Sequence, residues 1–345
     1  MLYSHRAVVL HALAAGLSGA LNVGAFDVIM PCSSLYHATA WGLPFVASIN
    51  GAKLVLPANR MDGASLAELI EDEGVTLTGG VPTIWTGYLE HLARVGGSIA
   101  TLRRVVIGGS AVPRAMAEAF EQRHGVETLQ LWGMTETTPI GVTATPTPAL
   151  LARGAAHTQE VLWTSRQGRR MFGLEVRVDA PAGESGPLRV RGPWVIRRYY
   201  RGEADAVDAD GWFDTGDIAE IDADGYVKLT DRAKDVIKSS GEWISSIDLE
   251  NAAAAAPGVK IAAVIGIPDP KWEERPLLIV EPHDGATFDP VAVRDHLVRA
   301  VAKWWLPERI EIAAVPLTAT GKIDKKRLRE LHRQGDCDDA NGRAS

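Results

Sequence analysis

Two cysteines in 345 residues leave nothing for a disulfide framework. Cys32 lies in an apolar stretch and Cys337 in a polar tail, so a reducing compartment is the expected setting. No small-residue cleavage site follows the apolar run after Met1-Leu2-Tyr3-Ser4-His5-Arg6, which argues against a secretory signal. Gly, Ser, Asn or charge break the longest apolar runs well short of a membrane span. The chain therefore reads as cytoplasmic, with no transmembrane segment. Basic residues are in deficit, 36 Lys+Arg against 43 Asp+Glu, for a net charge of −7. That argues against a general binder of nucleic acid or anionic membrane, but leaves room for a local phosphate pocket. No GxGxxG stands between a strand and a helix, which disfavours a nicotinamide-dependent oxidoreductase. The GxxxxGK[ST] pattern also fails, because Gly321-Lys322 has no Gly five residues earlier and Ile323 replaces the hydroxyl residue. There is no internal repeat.

The composition is 46% hydrophobic and 23% charged, which supports sizeable cores. The length fits two domains. A helix is expected from Arg6 to Leu21. Short apolar runs follow: Val28 to Met30, Ala52 to Pro57, Val75 to Gly79, Val105 to Ile107 and Val126 to Leu129. Helical stretches at Ser65 to Asp72 and Ala115 to Arg123 alternate with them, which predicts a layered α/β domain. From Leu188 the runs become short and alternating, with Asp224-Gly225 as a hairpin signal, so a β-rich subdomain is expected. Beyond the charged stretch 231–235, Ile247 to Ala256 and Pro290 to Val301 read as helices. Ala262 to Ile267 and Leu277 to Val280 read as strands. The expected organisation is a large domain over 1–231, a small α+β domain over 232–331 and a disordered tail over 332–345.

Four stretches carry candidate chemistry. Leu131 to Thr138 packs a glycine, three threonines and Glu136 into a tight turn suited to phosphate and Mg²⁺, or is an ordinary polar loop with a helix cap. In Asp210 to Asp217, the Asp217 carboxylate precedes a strand and is placed to accept ribose hydroxyls; hairpin Asx turns are the plainer reading. Asp231 to Trp243 spaces basic residues at 232, 234 and 238 before a Ser-Ser-Gly turn, or is a solvated linker. Thr318 to Lys326 presents Lys322 as a single ammonium, with 325–329 as a solvated basic helix face.

In order and content these stretches resemble the adenylate-forming superfamily of acyl-CoA synthetases, luciferases and peptide-synthetase adenylation domains. The likeness is strongest to medium- and long-chain fatty acyl-CoA synthetases. It extends to Tyr36-His37-Ala38-Thr39-Ala40-Trp41-Gly42-Leu43-Pro44, Gly80 to Trp85, Gly241 to Ser246, Pro268 to Trp272 and Ala302 to Pro307, and covers Met1 to Leu331. No carrier-protein serine site follows Lys322, which disfavours a peptide-synthetase module. The resemblance implies that Gly109, Ser110 and Ala111 form the adenine-side loop. Trp132, followed by Gly133, stands where an aromatic stacks on adenine. Thr135 is implied as the α-phosphate contact, Glu136 as the Mg²⁺ ligand, Asp217 as the ribose ligand and Arg232 as a second ribose or phosphate contact. Lys234 matches the hinge. Lys238, Gly241 and Trp243 match the CoA face, and Lys322 the lysine of the adenylation step. His37 and Trp41 belong to the phrase that includes the acyl-tunnel gate. Packing is the plainer reading for Trp41, Trp85, Trp243 and Trp304, most of all for Trp85 and Trp304.

The implied reaction has two steps. A fatty acid carboxylate attacks Mg-ATP to give acyl-AMP, and the CoA thiol then displaces AMP after the small domain turns about Lys234. Family members carry a Gly/Ser/Thr-rich phosphate loop ending in lysine just ahead of the residues matching Leu2 to Arg6. No stretch here substitutes for it; Gly16 to Gly24 lacks lysine. The resemblance thus implies an N-terminal truncation on the order of 200 residues. It also implies apolar faces that need the missing half or a second copy to cover them. Two readings stay open: a fatty acid–CoA ligase, and a non-catalytic AMP- or acyl-adenylate-binding remnant.

Overall fold

The computed structural model describes residues 1–332 apart from 111, 164–165, 240–241, 284 and 286–287. The chain divides into two compact units, Met1–Leu229 and a second beginning at Thr230. The first is built on an eleven-stranded sheet. Its strands are β1 Val28–Pro31, β2 Lys53–Leu54, β3 Leu77–Gly80, β4 Arg104–Ile107, β5 Glu127–Gly133, β6 Ile140–Thr143, β7 Arg166–Arg170, β8 Glu175–Val178, β9 Gly186–Arg191, β10 Phe213–Ile221 and β11 Val227–Arg232. The spatial order is β2-β1-β3-β4-β5-β6-β7-β11-β10-β9-β8. The strands from β2 to β5 pair in parallel and those from β5 to β7 antiparallel.

Why the parallel half forms is plain in β4. Its four residues, Arg-Val-Val-Ile, are all buried, as expected of a strand covered on both faces. Successive side chains alternate between those faces. Val105 and Ile107 pack with Leu66, Ile70, Trp85 and Tyr88. Those residues come from helices α3 (Gly63–Glu73) and α4 (Pro82–Val95). Val106 packs on the other face with Ala12, Ala15, Leu43 and Val46, from α1 (His5–Gly16) and α2 (Leu43–Asn50). Ser4 caps α1 through its side chain, and Asp62 caps α3.

Several elements differ from expectation. Helix α1 ends at Gly16, not Leu21, because the chain turns back through Leu21 N–H to Ala15 O. The strand expected over 52–57 shrinks to the two exposed residues of β2 at the sheet edge. The helix expected over 115–123 is an α-turn, Arg114–Glu118, followed by a wider π-turn, Ala119–Arg123. Asp217 lies inside β10 instead of before a strand. The Asp224-Gly225 hairpin forms, with Gly225 at φ +82 and the Asp222 carboxylate accepting from the Asp224 and Tyr226 N–H groups.

The second unit holds β12 Ile237–Ser239, β13 Glu242–Ile244, β14 Val259–Asp269, β15 Glu273–Pro282 and β16 Arg309–Ile312. The order is β13-β12-β15-β14, with β16 parallel to β15. Helices Ser246–Ala254 and Pro290–Ala300 cover one face through Leu249, Val293 and Leu297. Parts of two charged stretches that could be read as solvated are instead buried or paired, although Arg232, Lys234, Lys326 and Arg327 remain exposed. Asp231 and Asp235 are buried, Lys325 pairs with Glu250 at 2.8 Å, and Arg329 pairs with Asp235 at 2.6 Å. Each cation answers a carboxylate brought in from far along the chain. Of the tail expected from 332, residues 333–345 lie outside the described residues. The α/β class, with a large sheet and a second small one, is as the sequence indicated.

Candidate functional site

Strands β3, β4 and β5 end in, or run straight into, glycines at one pole of the sheet. A Cβ on Gly108 would meet Leu131 Cδ1 at 2.4 Å, and Gly109 sits at φ +85. Beyond β5, a Cβ on Gly133 would lie 2.0 Å from Pro139 O. That close approach lets residues 134–139 fold back onto the strand, with Met134 N–H donating to Pro139 O at 3.0 Å. A 3₁₀ turn, Thr135–Thr137, follows. Such C-terminal strand ends are where open parallel sheets bind ligands.

Two tyrosines hold this turn. The Tyr3 hydroxyl donates to Thr135 O at 2.7 Å, and the Tyr199 hydroxyl donates to Glu136 Oε1 at 2.9 Å. Burial, with the Glu136 charge second, pushes the Tyr3 phenol up to about 12. Burial, then the hydrogen bond to Glu136, pushes Tyr199 up to about 12. Both remain protonated donors at neutral pH. Behind the turn, His11 is 1% exposed and accepts the Ile140 N–H at Nε2, 3.0 Å away. Tyr3, Tyr199 and His11 were not singled out from the sequence, since nothing in their local pattern points to partners so distant.

Asp217 comes to this pole from β10. Its Oδ2 accepts the indole N–H of Trp132 at 2.8 Å, and its own N–H donates to Thr215 Oγ1 at 3.1 Å. The structure thus brings together Trp132 and Asp217, and separately Thr135 and Glu136 beside Tyr3 and Tyr199. Ser110 is exposed, and Ala111 lies outside the described residues.

Trp41 is 8% exposed and ends a turn, Ala38–Trp41, in which four non-glycine residues have φ between +48 and +61. Such a left-handed run costs roughly 1–2 kcal/mol per residue. His37 is half-buried just before it. Trp85 is buried and donates to Gly80 O at 3.0 Å, whereas Trp304 is 44% exposed and departs from the packing role expected of it.

In the second unit Lys238 and Trp243 stand opposite each other on β12 and β13, and both are exposed. Arg232 and Lys234 are exposed, and Gly241 lies outside the described residues. Lys322 belongs to a tight turn in which Thr318 N–H donates to Lys322 O at 2.7 Å and Gly321 sits at φ +77.

No group of three or more metal-ligating side chains occurs among the described residues. A hard cation shared with substrate phosphates needs few protein oxygens, and half-buried Glu136 offers one carboxylate. A cavity of about 460 Å³ lined by Asn22, Phe26, Asp27, Arg103 and Glu127 lies at the opposite pole, where β1, β4 and β5 begin. It contains none of the candidate residues.

The fold is that of an α/β protein with one large sheet and one small one. The family model described as AMP-binding enzyme matches residues 1–200, and that of the AMP-binding enzyme C-terminal domain matches 248–322. The chain belongs to the AMP-binding enzyme family. It is 41% identical over 339 residues to a 3-methylmercaptopropionyl-CoA ligase of Ruegeria lacuscaerulensis, covering 96% of this chain and 62% of that protein. Identity is 41% over 343 residues to a medium-chain-fatty-acid–CoA ligase of Ectopseudomonas oleovorans, with coverage of 96% and 62%. It is 43% over 346 residues to a long-chain-fatty-acid–CoA ligase of Thermus thermophilus, with coverage of 96% and 63%. The chain thus spans less than two thirds of the length of these relatives. Among solved structures, the amide bond synthetase McbA of Marinactinospora thermotolerans matches with a TM-score of 0.82 at 29% identity, over 95% of this chain and 66% of that one. No described helix is long and apolar enough to cross a membrane.

Proposed function

We propose that this chain serves an AMP-forming acid–thiol ligase, which activates a carboxylic acid with ATP and transfers the acyl group to CoA in the cytoplasm. The observation that carries the reading is the convergence of Thr135, Glu136, Trp132 and Asp217 on one sheet pole in a chain of the AMP-binding family. Thr135 orients the α-phosphate through its hydroxyl. Glu136, fixed by the Tyr199 hydroxyl, would hold Mg²⁺, which when bound neutralises phosphate charge. Asp217 and Arg232 take the ribose side, with Gly109, Ser110, Ala111 and Gly133 letting the backbone approach the nucleotide. Lys322 stabilises the charge that develops as the acid carboxylate attacks. Lys238, Gly241 and Trp243 serve the CoA thiol, Lys234 is the hinge, and His37 and Trp41 shape the acyl entrance. We assign the acid to the medium- and long-chain fatty acids. The exposed Val9 and Leu13 of α1 favour cover by a polypeptide segment corresponding to the part of the relatives that this chain does not span.

The test is acyl-CoA formation by the purified chain with ATP, Mg²⁺ and CoA. The acids are octanoate, palmitate and 3-methylmercaptopropionate, with Lys322→Ala as control. Thioester formed from the fatty acids and lost in the variant supports the reading. Preference for 3-methylmercaptopropionate overturns the substrate assignment. A folded, monodisperse chain that binds AMP yet forms no product supports a non-catalytic nucleotide-binding role instead.

A further inference from the structure

We propose that the pole where β1, β4 and β5 begin is a docking surface for a second copy of this chain. The two copies meet about a two-fold axis, Phe26 of each entering the cavity of the other and Arg103 of each facing Glu127 of the other. The inference is independent of the ligase reading. Three observations carry it. Phe26 is 98% exposed, more than any other large apolar side chain among the described residues. It is also held in place. The Gly24 N–H donates to Asp27 Oδ2 at 2.9 Å and the Asp27 N–H to Gly24 O at 3.1 Å, which closes a tight turn around it. The Asp27 carboxylate further accepts the Thr76 hydroxyl at 2.7 Å and pairs with buried Arg104. A preorganised knob avoids the ordering cost that a mobile loop would incur on docking.

The second observation is the cavity of about 460 Å³ beside this knob, lined in part by Asn22, Arg103 and Glu127. Pockets of roughly 300–1,000 Å³ take whole small molecules, so an aromatic ring fits. A ligand pocket turns its aromatics inward, whereas this aromatic stands out in water. The third observation is charge. Arg103 and Glu127 are exposed, and among the described residues neither side chain has a hydrogen-bond or ion-pair partner. They are adjacent nonetheless, since the Glu127 N–H donates to Arg103 O at 2.9 Å. One patch thus carries a knob, a hollow, a cation and an anion. Such a surface complements itself, which is the requirement of a two-fold contact, and buried aromatic and arginine anchors dominate contacts of this kind.

The experiment is sedimentation equilibrium of the purified chain, of Phe26→Ser, Arg103→Glu and Glu127→Arg, and of an equimolar mixture of the last two. The wild type should dimerise reversibly with a Kd of roughly 10 µM, the weak end of the range for a small interface. Each single variant should weaken the dimer by roughly tenfold or more. In the mixture, two carboxylates on one chain face two guanidinium groups on the other, so a dimer of near wild-type strength should return. A wild-type chain that is still monomeric at roughly 100 µM overturns the inference. So does Phe26→Ser or Arg103→Glu associating as tightly as the wild type, which would move the contact elsewhere, such as the exposed face of α1. A mixture no tighter than its components overturns the two-fold pairing. Circular dichroism checks that each variant folds. If Glu127→Arg does not, Phe26→Ser and Arg103→Glu, both at exposed positions, decide the question by themselves.

Discussion

His11 offers a sharp test of how the nucleotide pole is built. It is 1% exposed, in edge contact with Trp194 at 6.1 Å between ring centres, and beside Gly42, where a Cβ would meet its ring at 3.0 Å. None of these neighbours is charged. Its Nε2 accepts the Ile140 N–H, which a protonated ring could not do. Burial lowers its pKa from 6.5 to about 3. The sign follows directly. Above 6.5 the ring is neutral in both folded and unfolded chains, and stability is whole. As pH falls from 6.5 toward about 3, the unfolded chain takes up a proton that the folded chain refuses, and stability drops by about 1.4 kcal/mol per pH unit. Between pH 7 and pH 5 the loss from this one group is about 2 kcal/mol. The comparison is with His11→Gln, whose amide oxygen can accept the same N–H without titrating. Urea unfolding of both chains at pH 7 and pH 5 should show a pH-dependent loss about 2 kcal/mol greater in the wild type. Equal pH dependence in the two chains would refute the reasoning, because the ring would then not be held neutral in the fold.

Four further outcomes follow from the packing. Gly133→Ala places a Cβ 2.0 Å from Pro139 O, so it should cost about 2–3 kcal/mol by urea unfolding and abolish AMP binding by calorimetry. Arg104→Met strands the buried Asp27 carboxylate and the Leu21 carbonyl that Arg104 now serves, which should cost about 3–5 kcal/mol; Arg104→Met with Asp27→Asn should recover part of it. Lys325→Met leaves Glu250, whose pKa burial already raises, without its cation; the loss, about 3 kcal/mol at pH 7, should shrink at pH 5, where a raised carboxyl more readily takes its proton. On α1 Ala12 is fully buried and Leu13 is exposed, so Ala12→Leu should cost about 1–3 kcal/mol while Leu13→Ala costs under about 0.5. A core-sized penalty for Leu13→Ala in a monomeric chain would mean that this face is covered in solution.

The parallel half of the fold was legible because its signals are local. Val105-Val106-Ile107 followed by Gly108-Gly109 is a buried strand running into a glycine turn, and α3 carries helical spacing with Gly74 at its end, whereas α2 and α4 were not read as helices. What was misread depends on long-range pairing. Strand β10 changes register between Asp214 and Ile218, so its alternation is broken where Asp217 sits and only the part from Ile218 reads as a strand. The basic run at 325–329 looks solvated until its carboxylates are known, and Asp235 reaches Arg329 across 94 residues.

The same division runs through the site. Thr135, Glu136 and Asp217 can be picked out because phosphate, cation and ribose chemistry demand those side chains in that order. Of the groups that bond to them, Tyr3 and Tyr199 answer no such demand, and Trp132 was read for its ring and not for its N–H. Tyr3 is 132 residues from Thr135, Tyr199 is 63 from Glu136, and Trp132 is 85 from Asp217. Each is a single donor whose worth lies in its direction, and direction is a property of the folded chain. The Trp132 indole N–H reaches Asp217 although β5 and β10 are not neighbours in the sheet, so no local pattern announces the bond. The hydrogen bonds at this pole thus join motif residues to one another and to tyrosines far outside the motifs.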